Sequence, residues 1–229
     1  KREHYNPLFA FHLCSGLVKK WFPSNDTKAA RMLVFWKQRL VILATPKTGS
    51  TSIEAALESL SALSVTRPPE LKHTPAYRYQ RFIRPYLRAS AGGEFTAVAL
   101  IREPVDWLGS WYRYRRREDV MEAQKSTRGM DFADFVRGYM SEPRPAFAEV
   151  GAQAKFLSGM NGEALGVEKL FRYENLAAFV TFLEEQLDFA IELPHENVSP
   201  AGDLALPDAL ATQLRAHLGP EYALYEATE

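Results

Sequence analysis

The chain has 229 residues, 46% of them apolar, and its 28 basic and 28 acidic side chains balance to zero net charge. That length and apolar content suffice for one α/β domain with a sizeable core, and the charge balance argues against general nucleic-acid binding. The single cysteine, Cys14, excludes an internal disulfide; no apolar run reaches the ~18 residues of a membrane span and no signal pattern opens the chain, so a cytoplasmic protein is expected.

Residues 6 to 21 read as a capped helix with an apolar face and a basic end. Packing on the core is expected for it, with peripheral contact to a membrane surface as the other reading. Met32 to Trp36 turns at Lys37-Gln38 into Leu40, a short strand pair. Leu40 to Ala44 is continuously apolar and partly β-branched, the pattern of a strand buried on both faces of a parallel sheet. At Pro46 the pattern changes. Pro46-Lys47-Thr48-Gly49-Ser50-Thr51-Ser52 leads into helical spacing at Ile53, Ala56, Leu57 and Leu60. The exposed amides and dipole of a helix start, the freedom of Gly49 and the donors of Lys47, Ser50, Thr51 and Ser52 make this turn an anion cradle suited to phosphate. An ordinary strand-turn-helix corner is the alternative.

A nucleoside-triphosphate loop places its lysine after a second glycine and relies on an acidic strand end to hold Mg²⁺. Here Lys47 precedes the glycine of the motif, and the later candidate strands run into Arg102 and Arg172. The site is therefore expected to work without a metal.

Arg67 to Pro75 reads as a loop, and Ala76 to Ile83 as an aromatic, basic helix that Pro85 ends or kinks. Phe95 to Ile101 is a second buried strand. Arg102-Glu103-Pro104 follows at once and opens a helix whose inward stripe is Val105, Leu108, Trp111 and Tyr112. In a parallel sheet both turns lie beyond the carboxyl ends of the strands. Arg102 and Ser110, eight positions apart, would then flank the Lys47 turn and converge on one phosphate. Glu118 to Met130 reads as a mobile loop at the entrance to this edge. Arg113, Arg115, Arg116 and Arg117 precede it and fit either a solvated helix end or a grip on an anionic ligand. Asp131 to Met140 and Ala146 to Leu157 read as helices, Gly166 to Phe171 as a third central strand, Glu174 to Leu187 as its amphipathic helix and Pro207 to Leu218 as the closing helix.

Taken together, Pro46 to Ser52 resembles the 5′-phosphosulfate loop, and Arg102 with Ser110 the 3′-phosphate motif, of sulfotransferases that use 3′-phosphoadenosine 5′-phosphosulfate (PAPS). Arg102 to Tyr114 looks like the carbohydrate branch of that family. Lys72-His73-Thr74-Pro75-Ala76, Phe171-Arg172-Tyr173-Glu174-Asn175-Leu176 and Leu193-Pro194-His195-Glu196-Asn197-Val198-Ser199 are similar to three further segments of that branch, in the family's order. Luminal members are generally larger, with an anchor and disulfides, so this chain resembles a bacterial-type relative.

The resemblance spans roughly residues 40 to 200; length and composition give the expectation of a single domain over residues 1–229, with an N-terminal helix and short strand in 1–36 packing on its core. The resemblance implies a P-loop-like three-layer α/β fold, a central, mainly parallel sheet flanked by helices. It implies PAPS as sulfuryl donor, 3′-phosphoadenosine 5′-phosphate (PAP) as product, and a hydroxyl on a glycan, lipid or small molecule as acceptor. Lys47, Thr48, Gly49, Ser50, Thr51 and Ser52 would hold the 5′-phosphosulfate, with Lys47 also on the bridging oxygen, and Arg102 and Ser110 would hold the 3′-phosphate. His73 is the expected base, with His195, Glu54 and Glu103 as alternatives. A non-catalytic nucleotide-binding module and a P-loop kinase are the competing functions.

Overall fold

A computed structural model describes residues 32–65, 71, 73–118, 120, 122–193 and 203–228. The helix expected over 6 to 21, Cys14, Lys72 and the Pro194 to Pro200 loop with His195 lie outside the described residues.

β1 (Met32–Phe35) and β2 (Leu40–Leu43) form the expected pair, antiparallel with Leu33 opposite Ile42, and every residue of both is buried. β3 (Leu63–Val65) adds to the other side of β1, also antiparallel. β4 (Thr96–Ile101) runs parallel to β2, with Leu40 opposite Thr96 and Leu43 opposite Ala99, and β5 (Lys169–Arg172) runs parallel to β4. The order is β3-β1-β2-β4-β5. Two corrections follow. The sheet is mixed, parallel in its β2-β4-β5 core as expected but antiparallel through β1 and β3, and β5 is an edge strand among the described strands, not a central one.

Side-chain alternation along the strands sends Val41, Leu43, Ala97, Ala99 and Ile101 to one face and Leu40, Ile42, Val98 and Leu100 to the other. Helices cover both. The first face meets Ala76, Tyr79, Leu87 and Phe156, and the second meets Ile53, Leu57, Phe179 and Leu183. Each fully buried aliphatic or phenyl side chain contributes ~1.5 to 3 kcal/mol of transfer free energy, so both layers are held chiefly by this burial.

α1 (Ser50–Leu57) follows the Pro46 turn. The aromatic, basic segment runs as α2 (Ala76–Arg78), a π-helical turn (Tyr79–Ile83) and α3 (Arg84–Ala91). Pro85 does not end it, because it sits in the first turn of α3, where its missing N–H costs nothing and the extra residue of the π turn absorbs the ring. α4 (Pro104–Arg115) starts where Glu103 accepts the Asp106 amide, and α5 (Phe132–Met140) where Asp131 accepts the Asp134 amide.

Ala146 to Leu157 is not one helix. Gly151, at φ 78°, divides it into a turn at Ala146–Ala148 and the short α6 (Gln153–Leu157). α7 (Leu176–Leu187) comes next, and the chain closes with two helices instead of one, α8 (Asp208–His217) and α9 (Gly219–Glu226). A third apolar cluster joins Trp107, Leu108 and Tyr112 to Phe132, Phe135, Leu210 and Leu214. The segment expected as a mobile loop is fastened to α4. Buried Thr127 donates from its hydroxyl to the Tyr112 carbonyl at 2.8 Å, and the Tyr112 hydroxyl donates to the Met130 carbonyl at 2.7 Å.

Candidate active site

Because β2, β4 and β5 are parallel, Ala44, Arg102 and Tyr173 leave the sheet at the same edge. The turn after β2 is held from α4. The Trp107 indole N–H donates to the Pro46 carbonyl at 2.8 Å and Arg102 Nη1 to the Lys47 carbonyl at 3.1 Å. In a trans peptide the N–H points opposite to its carbonyl, so the Lys47 and Thr48 amides are aimed away from α4. Lys47 (φ 67°) and Gly49 (φ 69°) both take the left-handed conformation that turns successive amides into one concavity. For a lysine this costs ~1 to 2 kcal/mol, which the two carbonyl contacts offset. Thr48 is turned inward, its hydroxyl donating to the Thr45 carbonyl at 2.9 Å, so its backbone alone is available to an anion.

Gly49 answers a second demand. A Cβ there would lie 2.8 Å from Cε2 of Tyr173. The same tyrosine ring carries the Arg102 guanidinium 4.6 Å above its centroid. Tyr173 therefore ties the anion turn to Arg102. Its place directly after β5, on the same edge, was the available signal for it, and sequence reasoning gave it no role.

Arg102 is fixed at its backbone by a reciprocal pair with Gln153, which accepts the Arg102 amide at 2.9 Å and donates to its carbonyl at 2.8 Å. Its Nε and Nη2 reach Asp106 Oδ2 at 2.7 and 2.6 Å. Among the described residues three of its five N–H groups are thus committed and two make no hydrogen bond. Arg113 Nη2 stands 3.5 Å from Asp106 Oδ1. Among the described residues Arg102 and Arg113 thus share the Asp106 carboxylate. Ser110 is buried on α4, and no contact among the described residues joins it to Arg102.

The Lys47 ammonium rests on aromatic faces, 3.3 Å from the Tyr114 centroid and 4.9 Å from that of Trp111. The two rings meet edge to face, their centroids 5.8 Å apart. Their positions, three apart on α4, were the sequence's hint of this cage. Of the arginine cluster Arg115 is absorbed by packing, while Arg116 and Arg117 are exposed. Buried Arg115 donates to the Ala146 and Glu149 carbonyls, burial pushing its pKa below the usual arginine value, and Arg116 donates to the Tyr112 hydroxyl at 3.2 Å.

No family model, curated protein or solved structure matches the chain. What the site can do therefore rests on its own geometry.

His73 reaches the same edge, its Nδ1 lying 2.8 Å from the Ala44 carbonyl. A carbonyl accepts only, so Nδ1 carries the proton in the neutral ring and Nε2 is the basic nitrogen. Both expected alternatives among the described carboxylates are placed otherwise. Glu103 accepts the Asp106 amide at 2.7 Å and the Tyr222 hydroxyl at 2.8 Å. Glu54, 3% exposed, lines a cavity of about 10 Å³ with Ala44, Thr48, Ile53 and Phe179, on the core side of the turn. α9 braces this edge from outside. Tyr225 donates to Glu174 at 3.2 Å, and Glu174 accepts the Glu103 amide at 2.8 Å. Burial, reinforced by Glu103, raises the Tyr222 pKa to about 12.

Proposed function

We propose that the protein is a sulfotransferase that moves a sulfuryl group from PAPS to a hydroxyl of a glycan, lipid or small metabolite, on a P-loop-like α/β fold. The observation that carries this reading is the join between the two strand exits, in which Arg102 holds the Lys47 carbonyl at 3.1 Å and, among the described residues, has two N–H groups without a partner. One rigid unit then offers two anion sites, as a nucleotide with separate 5′ and 3′ phosphates requires. We place its action in the cytoplasm, where a lone cysteine stays reduced.

The residues fit such a donor. The left-handed Lys47 and Gly49 open the turn's amides, and Arg102 and Arg113 stand together on Asp106 at the same edge. Amides of Thr48, Gly49, Ser50 and Thr51 would hold the 5′-phosphosulfate, with Ser52 contributing its side chain because its amide already donates to the Gly49 carbonyl at 3.2 Å, and Arg102 with Ser110 would hold the 3′-phosphate. When bound, PAPS supplies an activated sulfuryl group on a phosphate leaving group. Lys47 would stabilise the charge gathering on the departing oxygen, an interaction strongest in the transition state. His73 Nε2 would take the acceptor's proton. The roles are electrostatic and positional, with none assigned to a metal.

Incubation with sulfur-labelled PAPS and fractionated extract of the protein's own source tests this, the product being identified by mass. Label should pass to a hydroxyl-bearing acceptor, and Lys47→Ala should abolish its transfer. Nucleotide binding with no labelled product in any fraction would leave a binding module instead.

A further inference from the structure

The helical run from Ala76 to Ala91 carries a surface that the site does not use. Phe82 and Tyr86, four residues apart, are 63% and 67% exposed, the two most exposed large apolar side chains among the described residues, and Pro85 between them is also exposed. Contiguous exposed apolar surface is kept for a partner. Residues 73 to 93 hold four arginines and no acid, in a chain of zero net charge. Arg84 and Arg88 are neutralised by Glu94 and Glu168 at 3.1 Å. Arg78 and Arg81 make no ion pair among the described residues. Arg81 instead lies 5.2 Å from the Phe82 ring centroid and Arg78 5.8 Å from that of Tyr77, so charge and ring share one face.

We propose that this face docks the protein on an anionic lipid surface. A phenyl ring, a tyrosine and unneutralised guanidinium groups are what a headgroup boundary accepts, the rings at its apolar side and the cations at its phosphates. A glycan would call for neutral hydrogen-bonding side chains. The one amide on this run, Gln80, is already occupied by Glu163, the Gly166 carbonyl and the Met160 amide. The run begins three residues after His73, whose ring lies at the turn, so docking would bring the membrane close to the candidate site.

The test is sedimentation of the full chain with vesicles of phosphatidylcholine alone and of phosphatidylcholine with phosphatidylglycerol. Binding is expected on the anionic vesicles and should weaken with salt. Arg78→Gln with Arg81→Gln should weaken it about 30-fold, from ~1 kcal/mol per basic residue at such a surface. Phe82→Ser with Tyr86→Ser should weaken it roughly tenfold. All four positions are exposed or flank exposed ones, so an unchanged melting temperature confirms that each variant folds. The proposal is overturned by equal binding to neutral and anionic vesicles, by none to either, or by full binding of the arginine variant. Variant-sensitive binding to dextran sulfate with none to vesicles would assign the face to an anionic polysaccharide and overturn it too.

Discussion

Gly49→Ala separates two costs that a second glycine allows to be measured apart. At φ +69° an alanine pays left-handed strain of ~1 to 2 kcal/mol. Its Cβ also meets Tyr173 Cε2 at 2.8 Å, inside any tolerated contact, so the ring must leave its place under Arg102. Losing that cation–π contact costs ~0.5 to 2 kcal/mol, for a total of about 1.5 to 4 kcal/mol. Gly92 has nearly the same φ, +65°, with nothing within 4 Å of a built Cβ, so Gly92→Ala should show the strain alone. Urea unfolding of both variants reads the difference, and adding Tyr173→Leu should bring Gly49→Ala down to the Gly92→Ala value. Equal destabilisation by the two glycine variants in the parent protein would refute the Tyr173 link.

Tyr114→Leu removes one wall of the Lys47 cage while Tyr114→Phe keeps it; amine acylation followed at Lys47 by peptide mass spectrometry should run about two- to fivefold faster in the leucine variant and unchanged in the phenylalanine one, from ~0.5 to 1 kcal/mol of cation–π attraction. Tyr222 has a folded pKa raised from about 10 to about 12, so the stability it adds is complete below pH 10 and is lost as pH rises toward 12. Tyr222→Phe should flatten that part of the stability curve, and an identical alkaline slope would remove the Glu103 contact from the account. His73→Ala should lower kcat by ~10² to 10⁴ with nucleotide affinity intact, whereas a loss under tenfold would place the base elsewhere.

The central parts of this edge were legible because they are local. A doubly buried strand shows as an unbroken apolar run, so β2 and β4 and their shared exit could be read from Leu40 to Ala44 and Phe95 to Ile101. Helix starts are local too, as at Asp131 and Pro104. β3 is three residues long with an exposed Leu63, too short and too wet to show a period. The Ala146 to Leu157 helix failed at Gly151, whose positive φ is a demand of the fold rather than of the apolar pattern. The residues that assemble the site from afar were hidden for a different reason. Trp107 reaches Pro46, Tyr173 packs on Gly49 and Trp111 and Tyr114 hold Lys47 across sequence gaps of 61 to 124 residues. Helical spacing offered Trp111 to the core and left Trp107 off the inward stripe, and nothing in that spacing tells which rim of an aromatic faces a neighbouring turn.

The proposal that one edge would hold two phosphates of one nucleotide is tested most directly by thermal unfolding in the absence of Mg²⁺. PAP at about 100-fold excess over its Kd should stabilise by ~2.7 kcal/mol, which for a chain of this length is a rise of about 5 to 10 °C in Tm. AMP, lacking the 3′-phosphate, should give a much smaller rise, and Arg102→Ala should bring the PAP response down to that of AMP. Equal shifts from PAP and AMP in the parent protein, or none from either, would contradict the account.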